Sequence, residues 1–499
     1  GSCIWQNEGM CGAKVFKIIE GYIVVRSFFV TLRAENLHLT KRGMQKNIWK
    51  EMNQKYNKGP WRVCTFLASA LIALVFMRAL PVIAVGDYEV KPVDFLSDLL
   101  PVDSSAAPLQ TPSAVAEAAL LDAKAEPCPK GVTCIEDYSA GKAHGMHCFY
   151  QALSERKSLG RPVRIAYFGD SFIEGDILTA DLRQLLQKRF GGCGVGFVDT
   201  DSPFTKLRAS VKHTAGGWVE HNVLKKEGLD MASLGVSQRY AQGGAGAFVE
   251  YGGVKDYACL DSFEVATLFL KDGGTPVAVK INNGPNRSFP MVSYGCLSTV
   301  TAKADGIRQV RFTLRGRATC YGVALEGRGG VSVDNFSLRG SSGTTLAGVA
   351  EKHLKALNEA HPYDLIVLQF GLNVANKKQK DYKGYIKQMV PVLQHFKTCF
   401  PKAAILIVSI GDREDKTNGQ LTTMPGVKEL LAQQQTMAAE AGLPFWNLYE
   451  AMGGEGGIRR MAEANPPEAG KDYTHINRRG GKRVAKALYK ALMHGFKEK

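Results

Sequence analysis

None of the 11 cysteines in this 499-residue sequence forms a C-x-x-C pair, which removes the usual ligand spacing of a structural zinc site. There is no internal repeat, so a solenoid or propeller is excluded. Charged residues make up 22% and hydrophobic residues 45%, a balance that excludes a disordered chain and a polytopic membrane protein alike. The formal net charge of +16 comes without any RNA- or DNA-binding signature, so no nucleic-acid partner is expected. Half of that charge precedes residue 86: residues 1–62 carry 11 Lys/Arg against 4 Asp/Glu, and Arg78 adds one. The remaining excess reads as ordinary solubility charge that also suits an anionic polymer or surface.

One apolar segment stands out. Val63 to Met77 carries no charge, follows Lys46, Lys50, Lys55, Lys58 and Arg62, and continues past Arg78 to Val85. A positive flank before such a run describes a secretory signal or an uncleaved anchor over 63–85, and hence a periplasmic or envelope location with a possible membrane tether. A buried core helix is the structural alternative. No Cys directly follows the run, which argues against a lipoprotein signal. Met44 and Met52 each offer an ordinary start, so 1–62 is expected to be a basic leader, partly upstream sequence. Residues 86–127, rich in Ala, Pro and Ser, read as a tether. In an oxidising compartment Cys128 and Cys134 are expected to form a local disulfide. His144, His147 and Cys148 have metal-ligand chemistry but no acidic partner at ligand spacing; they read as helix residues, and no metal or cofactor is expected.

From residue 163 the pattern is α/β. VRIAYF (163–168) is a buried strand followed by a helix near 177–190. Strands at 364–370, 403–410 and 445–449 then alternate with helices at 347–360, 385–396, 427–441 and 478–496. Alternation of this kind makes a doubly wound parallel sheet. Between the two halves, alternating runs at 263–270, 276–281, 309–314 and 320–327 are separated by Gly/Asn/Pro turns, which predicts an inserted all-β sandwich over 200–335. The α/β domain is thus expected over 128–199 and 336–499.

Four short features fall at element boundaries. Ser171 follows the first strand at a helix start, where open α/β sheets place their sites. Asp472 stands three residues before His475, a spacing that lets the carboxylate hold one imidazole nitrogen while the other faces a serine. Asn373 follows the strand at 364–370 and can donate to an oxyanion. Gly343 lies in a Gly-rich turn before a helix. Each alone reads equally as a cap or turn.

Together, in the chain order Ser171, Gly343, Asn373 and Asp472/His475, they resemble the SGNH (GDSL-type) hydrolase family over roughly 160–199 and 336–497. The resemblance implies a flavodoxin-like three-layer α/β/α fold. It implies Ser171 as nucleophile, Asp472 and His475 as the acid–base pair, and Ser171, Gly343 and Asn373 as oxyanion donors. GDSF replaces GDSL, Thr344 stands where Asp is frequent, and Val374 follows Asn373; none of these removes a catalytic atom. The stretches GDSFIEGD, FGGCGVGFV, TAGGW, YGVALEG, QFGLNVAN, FWNLYEAMGG and KDYTHINRRGG are similar to periplasmic Bacteroidetes-type SGNH proteins with an inserted carbohydrate-binding-module-like, jelly-roll-like sandwich, and to peptidoglycan O-acetylesterases. The expected function is hydrolysis of O-acyl, foremost O-acetyl, esters on peptidoglycan or another polysaccharide. A lipase or thioesterase on longer acyl chains, an O-acetyltransferase and a non-catalytic glycan-binding protein are the alternatives. Trp218 is a candidate sugar-stacking residue or a core residue; Tyr473 reads as loop packing. Glu174 and Asp176 read as helix-start stabilisers, and Arg478 and Arg479 as a solvated face or contacts to an anionic substrate.

Overall fold

The structure, a computed structural model, describes residues 128–225, 227–417 and 420–497, together with the strands Ile83–Val85 and Tyr88–Val90. The latter two pair antiparallel, so the last three residues of the apolar segment 63–85 are extended. The remainder of that segment, the basic leader and the rest of the 86–127 tether lie outside the described residues. Among the described residues no helix is long and apolar enough to cross a membrane.

The central sheet has six strands. They are β1 (Ile135–Asp137), β2 (Val163–Gly169), β3 (Val331–Ser337), β4 (Leu365–Gln369), β5 (Ala404–Val408) and β6 (Pro444–Trp446). Their order is β3-β2-β4-β5-β6-β1; all neighbours are parallel except β1 on β6. Counting only the parallel strands along the chain gives 2-1-3-4-5, the flavodoxin-like winding.

Side chains alternate across this sheet because the strand period is two. Ile165, Tyr167, Val367 and Leu406 face α1 (Met146–Ser154), α2 (Thr179–Phe190) and α6 (Arg478–Gly495). Ala166, Phe168, Ile366 and Ile405 face α3 (Glu351–Ala360), α4 (Lys383–Cys399) and α5 (Gly426–Ala441). Both faces are covered, which explains why these strands are continuous apolar runs. The fold is therefore α/β/α in layers. The Cys128–Cys134 disulfide is formed just before β1.

The β-rich region is one ten-stranded antiparallel sheet. Its 14-residue strand Arg239–Gly252 pairs with Ala318–Cys320 through its first half and with Gln309–Thr313 through its second. The sheet thus curls and encloses its own core of Val249, Tyr251, Leu268, Val279, Val310 and Val323. Two short strands differ from the sequence boundaries at 199/200 and 335/336. Gly196–Asp199 pairs antiparallel with Gly322–Leu325 and belongs to the curled sheet. Val331–Ser337 pairs parallel with Val163–Gly169 and belongs to the central sheet. A short apolar run does not reveal its own partner, so periodicity alone misplaces both.

The two sheets share a core. Phe197 lies 5.1 Å from Phe336 and 5.8 Å from Phe269, ring centre to ring centre. Beneath them the buried Asp334 carboxylate accepts from the Phe197 N–H (2.8 Å), the Tyr363 hydroxyl (2.7 Å) and His361 Nε2 (3.0 Å). The start of α6 packs tightly on the loop after Ser171. A Cβ on Gly481 would lie 1.9 Å from the Ile177 carbonyl oxygen, so only glycine permits that approach. The Asn477 side chain caps α6 by accepting from the N–H groups of Arg479 and Gly480.

Candidate active site

β2 delivers Gly169-Asp170-Ser171 to the carboxyl edge of the sheet. The β4 strand ends beside it and leads into Gly371-Leu372-Asn373. β3 leads into the turn containing Ser341 and Gly343. The loop before α6 brings Asp472 and His475. That loop is shaped by its own aspartate: Asp472 Oδ1 accepts from the N–H groups of Thr474 (3.2 Å) and His475 (3.1 Å). It is pinned further by Gly470 N–H to the His475 carbonyl (2.8 Å) and by Glu414 N–H to the Tyr473 carbonyl (3.0 Å). Tyr473 has φ +49 and serves this turn.

Ser171 Oγ is 3.0 Å from His475 Nε2, and His475 Nδ1 is 2.7 Å from Asp472 Oδ2. With the proton on Nδ1 facing the carboxylate, Nε2 accepts from the serine hydroxyl. Burial opposes ionisation of Asp472, but His475 and the two N–H groups outweigh it and hold its carboxyl below the usual range. The sequence-predicted trio, separated by three hundred residues, is therefore one hydrogen-bonded chain. Such a chain can activate a serine for nucleophilic acyl transfer.

No protein-family model and no curated protein sequence matches this chain. A solved structure does: "Peptidoglycan O-acetylesterase in action, 5 min" superposes with a TM-score of 0.59 at 21% identity, over 72% of this chain and 98% of that one. The two share a fold. Superpositions on a family two carbohydrate esterase from Cellvibrio japonicus and on a salicylyl-acyltransferase from a tetracycline biosynthetic pathway are far looser. Their TM-scores are 0.24 and 0.27, at 10% and 12% identity; each covers 60% of this chain, and 98% and 97% of theirs.

The expected oxyanion donors are present but engaged. Asn373 Nδ2 donates to Asp170 Oδ2 (3.2 Å) and to the Ser341 carbonyl (3.0 Å). Gly343 N–H donates to Ser341 Oγ (3.0 Å). Gly343 has φ +88, and a Cβ there would lie 2.6 Å from the Phe370 ring, so this turn requires glycine. Asp170 and Ser341, which the motif reading passed over, thus connect the Ser171, Gly343 and Asn373 segments.

Burial pushes the Asp170 carboxyl up to about 6, against an ordinary 3.8, despite its bond from the Phe172 N–H and the nearby His475 charge. A carboxyl whose pKa rises on folding stabilises the fold below its unfolded value and loses that contribution as pH rises to the folded one. The gap corresponds to about 3 kcal/mol, expended between about pH 4 and pH 6. Asp170→Asn removes this dependence. Urea denaturation at pH 4 and pH 7 is expected to show the variant gaining about 3 kcal/mol relative to wild type across that interval.

The other candidates fall elsewhere. Trp218 is partly buried against the core of the curled sheet: its indole N–H donates to the Phe248 carbonyl (2.7 Å) and its ring packs over Gly243. Its polar edge and one face are thus engaged within the curled sheet. Asp176 is fully buried among arginines, and Glu174 pairs with Arg339. Arg478 Nη1 donates to the Tyr257 hydroxyl (2.7 Å) of the β-rich region. His144 meets the Ala403 carbonyl, and His147 meets Cys148 Sγ. Among the described residues no group of three His, Cys, Asp or Glu is placed to hold a metal ion.

Proposed function

We propose that this chain is a serine esterase of the SGNH type. It would remove O-acyl, foremost O-acetyl, groups from peptidoglycan or another polysaccharide in the cell envelope. The observation that carries this reading is the Ser171–His475–Asp472 hydrogen-bonded chain at the carboxyl edge of the 2-1-3-4-5 sheet. In this mechanism His475 Nε2 takes the Ser171 proton as Oγ attacks the ester carbonyl, then gives it to the departing sugar hydroxyl. A water activated by His475 releases the acyl group. Ser171 N–H and Gly343 N–H receive the oxyanion, joined by Asn373 Nδ2 once it releases the longer of its two bonds, that to the Asp170 carboxyl. Rotation of the Ser341 hydroxyl frees the Gly343 N–H for that role.

The short acyl group rests on the resemblance of the sequence motifs to O-acetylesterases. The test is a p-nitrophenyl acetate, butyrate and octanoate series on the full chain, followed by acetate release from O-acetylated peptidoglycan. On this reading acetate should be preferred to octanoate. A preference for octanoate would overturn the short-chain reading in favour of a lipase.

A further inference from the structure

Two buried carboxylates follow Ser171, and they are treated differently. Asp176 is neutralised by Arg183 and Arg208, which are themselves buried. Glu174, with its side chain 5% exposed, is neutralised by Arg339, whose side chain is 56% exposed. The Glu174 carboxylate grips one edge of that guanidinium: Arg339 Nε bonds Oε1 (3.1 Å) and Oε2 (3.0 Å), and Nη2 also bonds Oε2. Nη1 has no partner. A buried anion therefore holds an exposed cation in one orientation with half of its donor fork open.

The position of this fork ties it to the site. Glu174 N–H reaches back to the Ser171 carbonyl (3.4 Å). Leu338 N–H donates to the Gly169 carbonyl (2.9 Å), which sets Arg339 at the end of β3, beside the nucleophile strand. Two residues on, the Ser341 carbonyl accepts from Asn373. Apolar side chains from the β-rich region flank it. Leu207, 55% exposed, lies against Gly175, and Leu224, 46% exposed, has Cδ1 3.8 Å from a Cβ position on Gly340. The Phe204 ring lies 5.8 Å from the Arg339 guanidinium. A fixed cation between exposed apolar groups matches a sugar that presents C–H faces and bears a carboxylate.

We infer that Arg339 is a substrate anchor, and that the preferred ester is an O-acylated saccharide carrying a free carboxylate near the acylated sugar. This rests on the esterase reading above. It assigns the β-rich region a part in the site, through Leu207 and Leu224, without a separate sugar-binding surface.

The test compares an O-acetylated disaccharide bearing one free carboxylate with its carboxamide twin. Wild type should favour the carboxylate by about fivefold to tenfold in kcat/KM, mainly through KM, and salt should erode the preference. Arg339→Gln should bring the ratio to about one, and Arg339→Lys should restore part of it. A ratio unchanged in Arg339→Gln overturns the anchor, as does an equal loss on both substrates, which marks a purely structural ion pair. Calorimetry keeps the two readings separate. If wild type turns over neither ester, the esterase reading fails, and carboxylate-disaccharide binding to Ser171→Ala is compared with binding to Ser171→Ala/Arg339→Gln. Equal binding there overturns the anchor too.

Discussion

Ser171→Ala is expected to lower acetyl-ester turnover by about 10⁴-fold or more, with stability changed by less than about 1 kcal/mol. The rate effect follows from the geometry. Ser171 Oγ is the atom that His475 Nε2 faces at 3.0 Å, and without it no acyl-enzyme forms. Residual activity should reflect only oxyanion binding and proximity. The small stability effect follows from the contacts. Among the described residues the Ser171 hydroxyl has a single partner, His475, whose side chain is 44% exposed, so removing it leaves no buried group there unsatisfied. Steady-state kinetics with p-nitrophenyl acetate and a urea titration read the two quantities. Turnover retained within tenfold of wild type would remove Ser171 from the chemistry.

Asp176→Ala is expected to destabilise the protein by about 3–5 kcal/mol, because it leaves two buried guanidinium groups without their anion. Asp176 Oδ2 meets Arg183 Nη1 at 3.1 Å and Arg208 Nη2 at 3.0 Å; its carboxylate also accepts from Thr179 Oγ1 at 2.6 Å and from Ser210 Oγ. The same arginines donate to the Val333 and Phe197 carbonyls, so one carboxylate joins the loop after Ser171, the edge strand β3 and the curled sheet. Burial alone would raise the Asp176 pKa, but Arg183 and Arg208 reverse that and hold it far below the ordinary carboxylate range. The contribution is therefore present above about pH 4, where an unfolded aspartate is already ionised, and is lost as pH falls below that. Wild type minus Asp176→Ala stability, from guanidinium denaturation, should be largest near neutral pH and shrink in acid. A cost under about 1 kcal/mol at pH 7 would show that the arginines find other partners.

Much of the central domain was legible because its physics is local. The runs at 163–168, 364–370 and 403–410 are apolar throughout because both sheet faces are covered, and each became a strand within a residue or two of the expected ends. Asp472 and His475 were legible because an Asp three residues before a His builds its own turn. The Asp176 reading was the less complete one. Two acidic residues before a helix look like ordinary helix-start stabilisers, and nothing nearby in sequence shows Arg208 and Ser210 closing over one of them. Trp218 stayed open between two readings for a related reason: a tryptophan after two glycines has the same local pattern whether it faces a sugar or packs beside a β-bulge.

The sequence by itself determined the alternation of strands and helices, an all-β insertion and the local disulfide, which follow from side-chain periodicity, turn chemistry and short spacings that act over a few residues. The serine, histidine and aspartate were singled out by the resemblance of their motifs, taken together, to a known family; that the insertion is one curled sheet, where a sandwich was expected, came only from the structure. The tertiary structure alone decided which sheet claimed Gly196–Asp199 and Val331–Ser337, how Ser341 and Asp170 engage Gly343 and Asn373, and which buried carboxylate faces an exposed arginine. Each of those depends on groups that are distant along the chain meeting in a low-dielectric interior. There the partner, and not the residue's own neighbours, sets the energy of a strand edge or a charge.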